Sequence, residues 1–152
     1  MAALLLVLAV AACTTGRSAD PTPSAPGTGP TLGSLAAFQE FAGLTVPATA
    51  TDVDLQVVTG PNGDPGYKVR FRLPSAEVDA FCVAGELDRP LRVSTVPDRY
   101  RRTFDYQGDT ASGVVLAQAG IPDNLDVQRE VLAVGTLQPT AQVYVYAYSV
   151  AD

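Results

Sequence analysis

The clearest pattern in the chain is strand-like alternation of apolar and polar residues at residues 53–57 and 67–73, which a Gly- and Pro-rich segment at residues 60–66 separates. These segments predict an antiparallel hairpin. The polar positions of the second segment are all basic: Lys68, Arg70 and Arg72. Because side chains alternate between the faces of a strand, we expect one apolar and one cationic face, with Asp54 opposite one of the basic residues.

Two more alternating segments, residues 129–136 and 142–150, are joined by a turn around Pro139. Three tyrosines share one face of the last segment: Tyr144, Tyr146 and Tyr148. If this strand pairs in register with the cationic strand, phenol rings and basic groups lie on one face, where they can stack. These six residues are a candidate binding surface, because Tyr and Arg are favoured at binding hot spots. The alternative is that the tyrosines only cover the sheet or pack beneath residues 86–124.

Two short helices are predicted. The first spans residues 34–43, with a serine as N-cap and a glycine as stop, and its apolar stripe contains Leu35, Phe38 and Ala42. The second spans residues 75–84 and presents Val78, Phe81 and Cys82 on one face. Prolines interrupt residues 86–124, where only residues 111–118 are faintly helical, so most of this segment is expected to be irregular.

The order of these elements predicts the α+β class, with an antiparallel sheet of about four strands and the helices packed on one face. Residues 34–152 are of ordinary size for a single domain. Cys82 is expected to be a buried, reduced thiol, since it shares the apolar face of its helix and the chain has no His to activate it.

The N-terminal segment, residues 1–12, is wholly apolar but shorter than the roughly 20 residues of a membrane-spanning helix. It is typical of an export signal, although it lacks the positive charge with which such signals begin, which would fit a translation start farther upstream. Val10, Ala11 and Ala12 stand before Cys13 and resemble the bacterial lipobox. That resemblance implies that Cys13 becomes the mature N-terminus and carries a diacylglycerol lipid. The alternative is ordinary cleavage after the A-x-A motif at residues 9–11, which would release the protein.

Residues 13–33 are rich in Thr, Ser, Pro and Gly and predict a semi-flexible tether between the lipidated Cys13 and the domain. In the domain, the segments around Val46–Val53, Val69–Phe81, Gln128–Leu132 and Val143–Tyr146 resemble a broad class of small actinobacterial lipoproteins of uncharacterised function. Nine Arg against one Lys suit a genome of high GC content. The resemblance implies a location on the outer side of the cell membrane and an α+β fold, and it implies no catalytic residues.

Composition narrows the chemistry that the chain can perform. It contains 10 Lys and Arg against 16 Asp and Glu, which argues against a nucleic-acid partner. It has no His and no Trp, so Ser-His-Asp and Cys-His arrangements are excluded. Two acidic loop pairs, Asp105 with Asp109 and Asn62 with Asp64, have too few ligands for calcium and are better explained as turns. We expect neither a metal nor a cofactor.

The densest basic cluster consists of Arg99, Arg101 and Arg102 around Tyr100. It would suit an anionic ligand, but the interpretation that we favour is a solvated face with pairing to Asp98 and Asp105. Three functions stay open. A non-catalytic binding module of the cell envelope, anchored through Cys13 and facing a polymer or a protein, fits all of these features. There are two alternatives. One is a carboxylate-type envelope enzyme, and the other is an inhibitor that presents residues 86–109 to an extracellular enzyme.

Overall fold

The computed structural model describes residues 32–108, 112–122 and 124–150. The predicted signal peptide, Cys13 and residues 13–31 of the tether lie outside these residues, as does Asp109. Six strands form one antiparallel sheet: β1 (Thr51–Thr59), β2 (Pro65–Pro74), β3 (Leu91–Val93), β4 (Val114–Ile121), β5 (Asn124–Val134) and β6 (Thr140–Ser149). Their order across the sheet is β1-β2-β6-β5-β4-β3. No helix in the described part of the chain is long and apolar enough to cross a membrane.

Three α-helices accompany the sheet: α1 (Leu35–Ala42), α2 (Val78–Ala84) and α3 (Asp98–Phe104). The prediction for α1 is confirmed, since the Ala37 amide donates to Ser34 Oγ at 3.1 Å and Gly43 ends the helix at a φ of 58°. Phe38 and Ala42 of its predicted apolar stripe are buried, whereas Leu35 is 37% exposed and Ala37 is buried in its place. A single 3-10 turn, Ser75–Glu77, leads into α2.

The prediction of about four strands with helices on one face is corrected in two respects. The sheet has six strands, because residues 86–124 contain β3 and β4 instead of an irregular segment, and β4 takes the place of the faint helix predicted at residues 111–118. The same segment contains α3, which packs on the face of the sheet opposite to α1 and α2. The α+β class itself is confirmed.

Two hydrophobic clusters lie on opposite faces of the sheet. On the first face, α1 and α2 cover the apolar side chains of the central strands, including Phe71 of β2 and Val145 of β6. On the second face, Tyr100 and Phe104 of α3 contact Leu132 of β5 and its neighbours. The sheet is therefore buried on both sides along part of its length. Because both faces of β4 are covered there, its residues do not alternate between apolar and polar.

Cys82 of α2 is free and fully buried in the first cluster, which confirms the prediction of a structural thiol. Burial, with a smaller contribution from the charge of Asp79, raises the pKa of this thiol to about 11. The thiol therefore stays protonated near neutral pH and is a poor nucleophile.

Candidate functional site

The register between β2 and β6 determines where the six predicted surface residues lie. Arg70 is paired with Tyr144, and Lys68 is paired with Tyr146. Paired residues of antiparallel strands project to the same face, so the tyrosines and the basic residues share the face on which α3 packs. We call this face of the sheet the tyrosine face. The Lys68 ammonium lies 5.7 Å from the centre of the Tyr146 ring.

The basic residues of the tyrosine face are all paired with carboxylates. Arg70 contacts Asp54 of β1 at 3.2 Å, as the hairpin prediction required. The other two pairs are Lys68 with Asp105 at 3.8 Å and Arg72 with Asp52 at 3.6 Å. The face predicted to be cationic is therefore close to locally neutral.

Helix α3 crosses the tyrosine face and divides it. Its apolar side chains cover Leu116, Leu132 and part of Tyr144, and leave a polar strip on adjacent strands. Cross-strand pairing places three members of this strip, Gln118, Glu130 and Tyr146, side by side on β4, β5 and β6. Next to Tyr146 lies Tyr148, whose ring is stacked on it with centroids 4.5 Å apart.

Two cavities adjoin the strip. The first, of about 420 Å³, lies between β1, β2 and the C-terminal end of α3, and Lys68, Arg70 and Tyr144 contribute to its walls together with Phe104 and Tyr106. The second, of about 460 Å³, lies at the other end of the strip. Its polar walls include Arg99, Gln118, Gln128, Glu130 and Tyr148. Of the six predicted residues, five therefore line or adjoin these cavities, while Arg72 lies apart at a third one.

Glu130 is a member of the site that the sequence analysis missed. It is the one acidic residue that is buried in the described part of the chain. Arg99 of α3 and the Tyr148 hydroxyl, the latter at 3.0 Å, both donate to its Oε1 atom. Its Oε2 atom is buried and accepts no hydrogen bond. No sequence signal marks Glu130, because it and the adjacent Arg129 have the appearance of an exposed pair of opposite charges.

The basic cluster on α3 differs in part from its prediction. Arg99 forms an ion pair with the buried Glu130, and not with Asp98 or Asp105. Arg101 donates to the Val96 carbonyl at 3.2 Å. Arg99 and Arg102 are exposed, as the prediction of a solvated face has it, while Arg99 and Arg101 also join α3 to the sheet and to the preceding loop.

Of the two acidic loop pairs, only Asn62 with Asp64 lies wholly within the described residues, and it belongs to a turn. Gly60 and Asp64 close a backbone turn with a hydrogen bond of 2.7 Å, in agreement with the turn interpretation of Asn62 and Asp64. Within the described residues there is no group of three or more potential metal ligands.

The carboxylate of Glu130 changes the ionisation of the tyrosines around it. Burial, and to a smaller extent the charge of Glu130 and its hydrogen bond, together raise the pKa of Tyr148 to about 12. Burial also raises the pKa values of Tyr100 and Tyr146, again with a contribution from Glu130. Tyr148 is therefore a neutral hydrogen-bond donor over the whole physiological range.

Tyr148→Phe should remove the phenol that ionises last in an alkaline titration of the native protein. The folded protein holds this proton up to about pH 12, whereas an unfolded tyrosine loses it near 10. Stability from this group is thus fully present below pH 10 and falls as the pH rises toward 12. Near-ultraviolet absorbance of phenolate measures the titration, and urea unfolding at several pH values measures the stability. If the variant still shows a tyrosine that ionises near pH 12, the raised pKa does not belong to Tyr148.

In comparisons with family models, with curated proteins and with solved structures, nothing matched the chain.

Proposed function

We propose that the protein is a non-catalytic binding module of the cell envelope, held at the outer side of the membrane by lipid on Cys13. Its binding surface is the polar strip of the tyrosine face with the two adjoining cavities, and its partner is a polymer or a protein of the envelope. The observation that carries the proposal is the convergence of Lys68, Tyr146 and Tyr148 on a strip beside α3, with Lys68 and Tyr148 each in the wall of a cavity. Planar rings beside polar groups in a concave site are typical of ligand binding.

Two features favour binding over the alternatives. The buried carboxylate of Glu130 is held by Arg99 and Tyr148, which suits a structural or recognition role better than paired-acid catalysis. The segment required by the inhibitor hypothesis, residues 86–109, contains β3 and α3, and α3 is docked on the sheet. An exposed inhibitory loop would need to be free of such packing.

The lipid anchor is supported by the Val-Ala-Ala-Cys ending of the apolar N-terminal segment and by the resemblance to actinobacterial lipoproteins. The full chain should incorporate a palmitate label and fractionate with membranes, and Cys13→Ala should do neither. One acyl chain anchors only marginally, whereas the two or more of a lipoprotein hold firmly. Unlabelled full chain in the culture medium would refute the anchor.

The binding surface is tested with the double variant Arg70→Ser/Tyr146→Ser in the full chain carrying Cys13→Ala, so that the lipid does not itself retain the protein. We expect its retention on isolated envelope material to fall by at least about tenfold, because two central side chains of the strip are lost. Arg70 contributes little to folding because its pair with Asp54 is exposed, whereas Tyr146 packs against the α3 cluster, so circular dichroism must show that the double variant is folded.

The matched control is Arg92→Ser, which breaks an equally exposed pair with Asp79 on the α2 side of the sheet. Equal retention of the double variant and the Cys13→Ala chain would show that the tyrosine face is only a scaffold.

A further inference from the structure

The second cavity, which we call the Glu130 pocket, has a hydrogen-bonding requirement that the protein itself does not meet. The side chain of Glu130 is only 6% exposed, and its Oε1 atom receives both available donors, from Arg99 and Tyr148. Its Oε2 atom has none. A buried carboxylate oxygen without a donor is costly, so the pocket favours an occupant that supplies an N–H or O–H group.

The charges of the pocket favour a neutral occupant. Its lining contains two acidic side chains, Asp88 and Glu130, and two basic ones, Arg99 and Arg129. Arg99 is already paired with Glu130, and the Arg129 guanidinium donates to backbone carbonyls. An anion would meet the carboxylate, and a cation would meet Arg99, so neither gains a net attraction.

Tyr148 supplies an aromatic wall of the pocket. Tyr148 is flanked on its own face by Gln128, and beyond Gln128 by Gly120. On the other side lies Gly66, where a Cβ atom would stand 2.9 Å from the Ala147 carbonyl oxygen and 3.4 Å from the Tyr148 Cβ atom. Tyr146 is stacked on the Tyr148 ring, so an occupant of the pocket meets the part of the Tyr148 side chain that belongs to the pocket wall.

We propose that the Glu130 pocket binds one ring of a neutral saccharide, which packs on Tyr148 while a hydroxyl of the ring donates to Glu130 Oε2. A sugar ring combines an apolar face of C–H groups, which suits the electron-rich face of an aromatic ring, with hydroxyls that need polar partners. Gln118, which also lines the pocket, has an amide group that can both donate and accept. The inference rests on the proposed binding function and specifies the class of its ligand.

The test is calorimetric titration of the full chain carrying Cys13→Ala. The neutral probes are maltotetraose, mannotetraose and chitotetraose, and the acidic probes are polygalacturonate and a poly-Glu peptide. We expect at least one neutral probe to bind with an affinity that hardly changes with salt, because no net charge is involved. Glu130→Gln and Tyr148→Ala should each weaken this binding by about tenfold or more. Tyr148→Phe, which keeps the ring, should lose less.

Asp79→Asn is the control, since it neutralises an exposed carboxylate on the opposite side of the sheet. If Glu130→Gln fails to fold by circular dichroism, Tyr148→Ala decides. Binding of acidic probes alone, of no soluble probe, or of neutral probes to both variants with full affinity would overturn the saccharide assignment. In each case the proposed function stands if envelope retention still depends on Arg70 and Tyr146, and it falls if retention does not.

Discussion

Replacing Arg129 by Met should lower the free energy of unfolding by about 3–5 kcal/mol, because four carbonyl oxygens at the helix ends and on β4 lose a charged donor. Arg129 is 1% exposed and lies on the α1 and α2 side of β5. Its guanidinium donates to the Gly85 carbonyl at 2.7 Å and to the Gly120 carbonyl at 2.6 Å. Longer contacts of 3.4 Å reach the carbonyls of Ala42 and Ala119.

The positive charge of Arg129 is placed where two helices end. Ala42 is the last residue of α1, and Gly85 directly follows α2, so both carbonyls belong to the negative ends of helix dipoles. Burial lowers the pKa of the guanidinium, and the nearby Glu86 opposes that change. Arg remains charged in proteins, so one buried cation holds both helix ends against β4.

Urea unfolding of the Arg129→Met chain measures this effect, and Arg92→Met is the control. Arg92 is exposed and pairs only with Asp79, so its loss should change the unfolding free energy by less than about 1 kcal/mol. A similar small change for both variants would show that the four carbonyls find other donors when Arg129 is removed.

Phe71→Ala should cost about 3–5 kcal/mol of stability through the loss of buried apolar surface and the cavity that remains. Phe71 is fully buried on β2, and its ring meets that of Phe81 edge to face at a centroid distance of 5.5 Å. This contact joins the sheet to α2. The variant is therefore expected to loosen α2 together with the strand beneath it.

The midpoint of urea unfolding reports the Phe71→Ala effect, and Val83→Ala is the control. Val83 is also on this side of the sheet but is 70% exposed, so its truncation should stay within about 0.5 kcal/mol. Because Phe71 projects away from the tyrosine face, retention on envelope material at low temperature should persist in both variants. Loss of retention by folded Phe71→Ala protein would link the core directly to the binding surface.

The elements that the sequence predicted are those with different residue types on their two faces. In β2 and β6, basic residues and tyrosines alternate with valines and other apolar residues, so period-two patterning was visible. β4 begins with Val114, Val115, Leu116 and Ala117, all buried, because clusters lie on both of its faces. A strand covered on both sides has no alternation to detect.

Helix α3 escaped prediction for a different reason. It has seven residues, most of them polar, and its apolar contacts come from Tyr100 and Phe104. Two residues at a spacing of four are too few to establish a helical period. The missed site residue Glu130 follows Arg129 directly, and both are buried on opposite faces of β5. Their adjacent, opposite charges resemble an exposed pair in the sequence, and only tertiary packing shows that each has a separate environment.

The alternation of β6 also restricts how the length of this chain can change during evolution. Val143 and Val145 are fully buried on one face, while Tyr144 and Tyr146 pack on the other. A single inserted residue within the strand would exchange valines and tyrosines and disrupt both faces at once. The turn between β1 and β2 carries no such restriction, since its residues are largely exposed. Insertions and deletions among homologues are therefore expected to accumulate in that turn, and to be absent from β6.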